Sequence, residues 1–459
     1  MQQVLRVRPL VFAVAIVSIS ASAHAALTQI NLPAQPLAQA LASLSRQLGI
    51  EVLAPAELVA GKNAPAVSGN LTPAAAIAQL LRGSGLEARP GASGGLVIRE
   101  AALTADQTLP EVIVRATAER ADGPVDGYRG TRSTTFTKTD TALKEVPASV
   151  TIVPAQLMKD ANMESLGEVF RYVPGVLMHQ GEGNRDQVVI RGNSTTADFY
   201  VDGVRDDAQV FRDPYNLERV EILKGPAGMA FGRGGAGGVV NRVTRKPVFG
   251  PVAEANIIVG NYNRFRSTVD YGNKLGDTAA WRLNAMYENA ESFRNGFKLE
   301  RYAVNPTVTV ALTAETALTL GYEHLWDYRT ADRGVPSFSG APLNGDPGTF
   351  FGNADQSHAR STVDGAYAIL EHDFGSGLQL RNTFRGTHYD KYYENIFPGS
   401  AVDAAGNLTL SAYNNANQRT NVFNQTDLIK KLTGGGIEHT LLTGIELGHQ
   451  SSDNKRNTG

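Results

Sequence analysis

A chain of 459 residues with 43 basic and 45 acidic side chains has a formal net charge of -2, which gives no basis for expecting a nucleic-acid partner. Cysteine is absent, and with it disulfides and thiolate metal sites. The length leaves room for about two to four domains.

The first 25 residues, MQQVLRVRPLVFAVAIVSISASAHA, set Arg6 and Arg8 before an apolar stretch from Pro9 to Ser20 and end on Ala23-His24-Ala25. That is the pattern of a cleaved export signal over residues 1–25, and the stretch is shorter than the ~20 apolar residues of a spanning helix. Export without cysteine points to a bacterial envelope protein.

Residues 26–100 read as a small α+β domain built from one plan used twice. Leu37, Leu41, Leu44 and Leu48 fall on one face of an amphipathic helix closed by Gly49. In the second half Thr72 is an N-cap, Pro73 takes the first helical position, Ile77, Leu80 and Leu81 are apolar, and Gly83 closes. Asn-Leu begins each unit, and Gly-Ile-Glu-Val or Gly-Leu-Glu-Ala ends it.

Residues 101–127 lose this periodicity and read as a linker. Within it, residues 109–116 (LPEVIVRA) hold the β-prone run Glu111, Val112, Ile113 and Val114. Such a run on a tether suits strand addition to another protein's sheet edge, while an edge strand of a neighbouring domain is the plainer alternative.

Residues 128–248 read as a mixed α/β domain with strands in PASVTIVP, QVVIRG, DFYVDGVRD and RVEILKGP. One helix runs from Ser165 to Tyr172 and stops at Val173-Pro174-Gly175. Near the end of this domain, GRGGAG from Gly232 to Gly237 spells G-x-G-x-x-G. A dinucleotide turn requires a helix after the glycines and an acid about 20 residues on. Instead the β-branched run Val239-Val240-Asn241-Arg242-Val243-Thr244 follows, so Gly232, Gly234 and Gly237 are expected to form a tight backbone turn against a wall of other atoms.

Residues 249–459 alternate. Phe265, Ser267, Val269 and Tyr271 interleave with Arg266, Thr268 and Asp270, and Leu318, Leu320, Tyr322, His324, Trp326 and Tyr328 with Thr319, Glu323 and Asp327. Short turns at 275–277, 313–316, 375–377 and 433–436 trade places with long polar connections at 330–360 and 398–419. Short turns on one side and long loops on the other are the mark of a transmembrane antiparallel β-barrel, here with about nine strands of roughly ten residues each. Tyr322, Trp326 and Tyr328 fit an interfacial girdle, as do Tyr389, Tyr392 and Tyr393.

VPASVTIVPAQLM, LGEVFRYVPGV, QVVIRGNSTTADFYVDGVRDD and FRDPYNLERVEILKGPAGMAFGRGGAGGVVNRVTRKP together resemble the plug domain of TonB-dependent outer-membrane receptors, most closely those for ferric siderophores. YVDGVRD and RDPYNLERVE are similar to catecholate-type members. Residues 26–100 resemble the secretin and TonB short N-terminal signalling domain, and 109–116 resemble a TonB box. The resemblance implies a plug inside a barrel, a ferric siderophore bound from outside as transported ligand with no cofactor, and outer-membrane lipid around the barrel. It implies as partners the TonB energy-transducing complex, pulling on Glu111 to Val114, and a periplasmic anti-sigma regulator. Loops 179–186, 193–197 and 204–211 are expected at the outer apex of the plug.

An anionic, aromatic chelate would suit Arg185, Arg205, Phe211, Arg212 and Tyr393 through charge, stacking and cation–π contact. Arg191, Glu218, Arg219 and Glu221 are expected to form an ionic cluster between plug and barrel, because buried charges need partners. No catalytic constellation and no protein ligand to a metal is expected, and the chain is read as a receptor and not an enzyme.

Plugged transporters have about 22 strands, so about nine mark the N-terminal part of a barrel, and this chain alone is expected not to transport. The alternatives are a receptor for heme or another metal chelate, a product acting only through its signalling domain, and a nucleotide-dependent enzyme based on GRGGAG.

Overall fold

The computed structural model describes residues 28–50, 52–90, 96–100, 119–232 and 234–458, so the export signal and the 109–116 box lie outside the described residues. The chain divides into two compact units, Met1–Val114 and Arg115–Gly459.

In the first unit, strand Thr28–Leu32 pairs antiparallel with Val67–Leu71, and helices Leu37–Leu48 and Pro73–Leu80 carry the apolar faces. A three-stranded sheet sets Leu96–Glu100 between Val52–Leu53 and Leu86–Pro90. Leu37, Leu41, Leu44, Ile77, Leu80 and Ile98 form the core, and each buried aliphatic side chain contributes roughly 1.5–3 kcal/mol. Thr72 Oγ1 accepts from the Ala75 amide at 3.3 Å, and Gly49 ends the first helix at φ 63°.

In the second unit, five strands form one mixed sheet in the order Ser149–Pro154, Leu217–Lys224, Gly238–Thr244, Phe199–Val201 and Val204–Arg205. Strands Leu217–Lys224 and Gly238–Thr244 are buried almost throughout, because helices Ala155–Asp160 and Leu166–Phe170 cover one face and residues 119–142 lie along the other. Ser165 caps the second helix through the Glu168 amide at 3.3 Å. Asp202 and Gly203, both at positive φ, turn the chain between Phe199–Val201 and Val204–Arg205 in the manner of a two-residue hairpin.

Nine antiparallel strands follow in sequence order: Val252–Gly260, Arg264–Leu275, Ala279–Glu291, Lys298–Ala311, Thr316–Thr330, His358–Gly375, Leu378–Pro398, Leu410–Gly434 and Ile437–Thr458. They are called the first to ninth barrel strands below. Their burial is inverted relative to a soluble sheet. Arg266, Asp270, Arg282, Glu288, Arg301 and Asp327 are buried on the face turned to the plug, whereas Ile257, Val259, Phe265, Leu320, Phe384, Ile445 and Leu447 are exposed. Apolar outside and polar inside is the signature of a barrel wall in lipid. No helix among the described residues is long and apolar enough to cross a membrane.

The outer aromatic row is continuous across strands. Tyr302 stacks on Trp326 at 5.3 Å, Trp326 on Tyr328 at 6.2 Å, Tyr328 on His358 at 5.9 Å, and His358 meets Tyr392 at 5.5 Å. The strands run from 9 to 25 residues and not a uniform ten, because the later ones continue past the lipid band. Accordingly the second long connection is only 399–409, while the first is 331–357.

Candidate ligand site

The outer end of the plug meets the seventh to ninth barrel strands around a cavity of about 510 Å³. Its floor is Glu182, Asn184, Arg185, Asp207, Ala208 and Gln209, and its wall includes Lys391, Tyr393, Tyr413, Arg419 and Arg456. Four cations face two carboxylates, so the lining is net positive. Lys391 Nζ donates to Asn184 Oδ1 and to the Gln209 carbonyl, both at 2.6 Å. Tyr413 Oη donates to Glu182 Oε2 at 2.7 Å, and Tyr393 Oη to the Glu182 carbonyl at 3.1 Å. Arg419 pairs with Asp207 at 2.7 Å, and the Arg456 guanidinium lies 4.1 Å from the Tyr413 ring centre. Partial burial pushes the Glu182 carboxyl up, but Arg185 and Tyr413 outweigh it and leave it below its ordinary value.

Of the five expected ligand contacts, the structure brings Arg185 and Tyr393 to this cavity and withholds the other three. Arg212 is buried beneath it, with Nε on Asp206 Oδ2 at 2.8 Å and Nη2 on the carbonyls of Asp206 and Ala208, both at 2.7 Å. It rivets the apex loop, and its guanidinium lies over Phe199 at 4.2 Å. Arg205 donates to Tyr200 Oη at 2.5 Å and to the Ala197 carbonyl. Phe211 is covered by the Arg329 guanidinium at 3.7 Å. Tyr389 and Tyr393 are corrected as well: they point inward and are buried, and of the three tyrosines only Tyr392 joins the girdle row. Loop 193–197 supplies none of the lining.

Below the cavity two carboxylates are driven apart. Burial pushes Asp186 up to about 6 against the opposing pull of Arg212. Asp206 is equally buried, yet Arg212 and Arg242 outweigh that burial and hold it well below the usual range. Tyr389 Oη closes the group by donating to Asp206 Oδ1 at 2.6 Å.

The ionic contact between plug and barrel is real but made by other residues. Asp213 receives both Arg266 nitrogens at 2.8 and 2.9 Å and Arg301 at 2.9 Å, and Glu288 bridges the same two arginines at 2.7 and 2.6 Å. Glu164 pairs with Arg264, and Asp202 with Arg385 at 3.2 Å. Of the four residues expected there, only Glu218 faces a barrel charge, at 3.9 Å from Arg282. Arg219 and Glu221 lie wholly inside the plug, facing residues 119–135, because their strand is central and covered on both faces. Arg191 packs at Gly225, also within the plug.

The glycines turn against the plug itself and not the barrel wall. Gly232 and Gly234 have φ 79°, and a Cβ on Gly234 would sit 2.4 Å from Asp198 Oδ1. A Cβ on Gly237 would meet the Ile190 carbonyl at 2.5 Å. Asp198 Oδ1 accepts from the Gly235 amide at 2.9 Å, so the anion held by this glycine loop is the plug's own side chain.

The residues that sequence reasoning missed were Lys391, Tyr413, Arg419 and Arg456, together with Asp213 and its arginines. Strand parity was the available signal for the first of these: Lys391 shares the inward face with Tyr389 and Tyr393.

Comparison with known proteins agrees with this architecture. Residues 142–239 match the TonB-dependent receptor plug domain, and residues 50–101 match the secretin and TonB N terminus short domain. The chain is 31% identical over 338 residues to the catecholate siderophore receptor Fiu of Escherichia coli K12, covering 67% of this chain and 44% of that protein. It is 31% identical over 371 residues to the metal-pseudopaline receptor CntO of Pseudomonas aeruginosa, covering 78% of this chain and 52% of that one. It thus spans about half the length of the curated relatives it matches. The crystal structure of the ferripyoverdine receptor of the outer membrane of P. aeruginosa superposes with a TM-score of 0.65 over 94% of this chain and 56% of that one, at 22% identity, a likeness of fold. With a short N-terminal domain, a plug and a partial barrel in that order, the chain belongs to the TonB-dependent receptors of the outer membrane.

Proposed function

We propose that this chain is part of a receptor that binds a ferric siderophore at the cell surface and imports it with energy from the TonB complex. The observation that carries this is the cavity between plug apex and barrel, net cationic and edged by Tyr393 and Tyr413, which suits an anionic chelate with aromatic donors. The similarity to Fiu supports a catecholate as cargo. The similarity to CntO, over more of this chain, supports a second reading in which the cargo is another metal chelate.

The short N-terminal domain is read as the transducer that contacts a periplasmic anti-sigma regulator when ligand is bound, and residues 109–116 as the TonB-binding segment. In a bilayer the unpaired edges of the first and ninth barrel strands need partner strands, so the nine-stranded sheet is not transport-competent by itself.

The test is uptake of radiolabelled iron as a ferric catecholate by iron-starved cells, with and without the natural gene and with and without TonB. Uptake that depends on both is expected. Uptake that is the same without the gene would overturn the assignment.

A further inference from the structure

We propose that Arg219 is the clasp on the segment that enters the plug from the linker, and that this clasp must open before the plug can be moved. The proposal rests on the reading that force arrives through the linker from the periplasm.

Arg219 lies in the middle of strand Leu217–Lys224 and is 0% exposed. Its Nη2 donates to the carbonyls of Arg120 at 2.6 Å and Gly123 at 2.9 Å. Its Nη1 donates to Glu119 Oε1 at 3.2 Å and to the Arg132 carbonyl at 3.4 Å. Three of these four acceptors belong to residues 119–123, which form no helix or strand and have no ladder of their own. The segment is held by side chains: Arg219 from below, Asp140 on the Ala121 amide at 3.3 Å, and Lys246 on Asp122 at 3.3 Å. Two residues along the same strand face, Glu221 takes Ser133 and Thr135, so one strand fixes the whole incoming run.

The chemistry makes this contact two-state. A guanidinium is a rigid fork of donors that cannot lose its charge, and a buried charge without acceptors is strongly disfavoured. With residues 119–123 withdrawn, Arg219 would keep the Arg132 carbonyl at 3.4 Å and Glu221 at 3.5 Å, and neither Arg219 Nε nor Glu221 Oε1 makes a hydrogen bond now. The segment is therefore either fully seated or released. Tension applied ahead of Glu119 reaches these acceptors before it reaches the six-residue ladder of Ser149–Pro154 on Leu217–Lys224. Arg219 is thus a positioning residue for energised movement, with no contact to ligand.

These 459 residues hold no cysteine, so Ala121→Cys, at a position 0% exposed, would be their sole thiol, and its labelling is read against the same receptor without the substitution. Maleimide labelling from the periplasm is followed in cells carrying the natural gene, with Val169→Cys in the plug core as the report on folding. In cells de-energised by a protonophore, Arg219→Gln is expected to raise labelling at Ala121→Cys at least tenfold while Val169→Cys stays protected. Unchanged protection at Ala121→Cys would overturn the clasp.

If the Gln variant exposes Val169→Cys as well, Arg219→Lys decides, because it keeps the charge and loses the fork. Exposure at Ala121→Cys alone supports the clasp, whereas both sites protected, or both exposed, overturns it. With the native Arg219, energised cells given ferric catecholate are expected to label faster than de-energised ones. Should that rise be missing while Arg219→Gln still labels, the energised-uptake reading fails and the clasp stands.

Discussion

Asp186 and Asp213 sit on the same plug, both buried, and titrate in opposite directions because of what faces them. Burial wins at Asp186, raising it to about 6 from an ordinary aspartate value of ~3.9. A raised carboxyl stabilises the folded apex below the unfolded value, and that contribution is lost as pH rises through about 6. Protection of the Arg212 amide, which donates to Asp186 Oδ2 at 3.0 Å, is thus expected to fall between about pH 4 and pH 7. Asp186→Asn should flatten that profile in hydrogen exchange corrected for intrinsic rates.

At Asp213 burial is the largest single influence, but Arg266 and Arg301 together overcome it and hold the carboxyl low. Asp213→Asn would leave two buried arginines sharing Glu288, and is expected to cost roughly 3 kcal/mol in a detergent melt. A loss under about 1 kcal/mol would mean that the contact is solvated.

At the scale of elements, the run after Leu217–Lys224 explains what a nucleotide-like glycine pattern does here: its backbone closes on the plug's own Asp198. Gly237→Ala drives a Cβ into the Ile190 carbonyl, and backbone cannot give way as a side-chain tip can, so a cost of roughly 2–3 kcal/mol is expected. Gly232→Ala meets nothing within 4 Å and carries only the strain of its positive φ, about 1 kcal/mol. Hydrogen exchange along Gly238–Thr244 in the two variants measures the difference.

Local pattern was enough to read the helices Leu37–Leu48 and Pro73–Leu80, the Thr72 cap, and the alternation of the barrel strands. In each of these the signal lies within a few residues. The partners of Arg219 and Glu221 were not legible, because they come from 86 to 100 positions away and depend on which strand ends up central. A charge in a family-like motif reads the same whether it faces ligand, barrel or its own domain. Tyr393 and Lys391 turn on parity alone, and a one-residue change of register would have sent both to the lipid.

Over the whole molecule, the plug is fastened most heavily at the second to fourth barrel strands, where Asp213, Arg266, Glu288 and Arg301 form a continuous buried group. The opposite contact, with the seventh to ninth strands, holds the outer cavity and rests on fewer charge pairs, Asp202–Arg385 and Asp207–Arg419. That asymmetry sets the proposed ligand cavity beside the more loosely held wall. Whether this cavity takes the anionic ferric chelate, as proposed, is decided by equilibrium binding of ferric catecholate to detergent-solubilised receptor carrying Lys391→Met and Arg456→Met. At least a tenfold loss of affinity with an unchanged melting profile is expected, and affinity equal to that of the unsubstituted protein would contradict it.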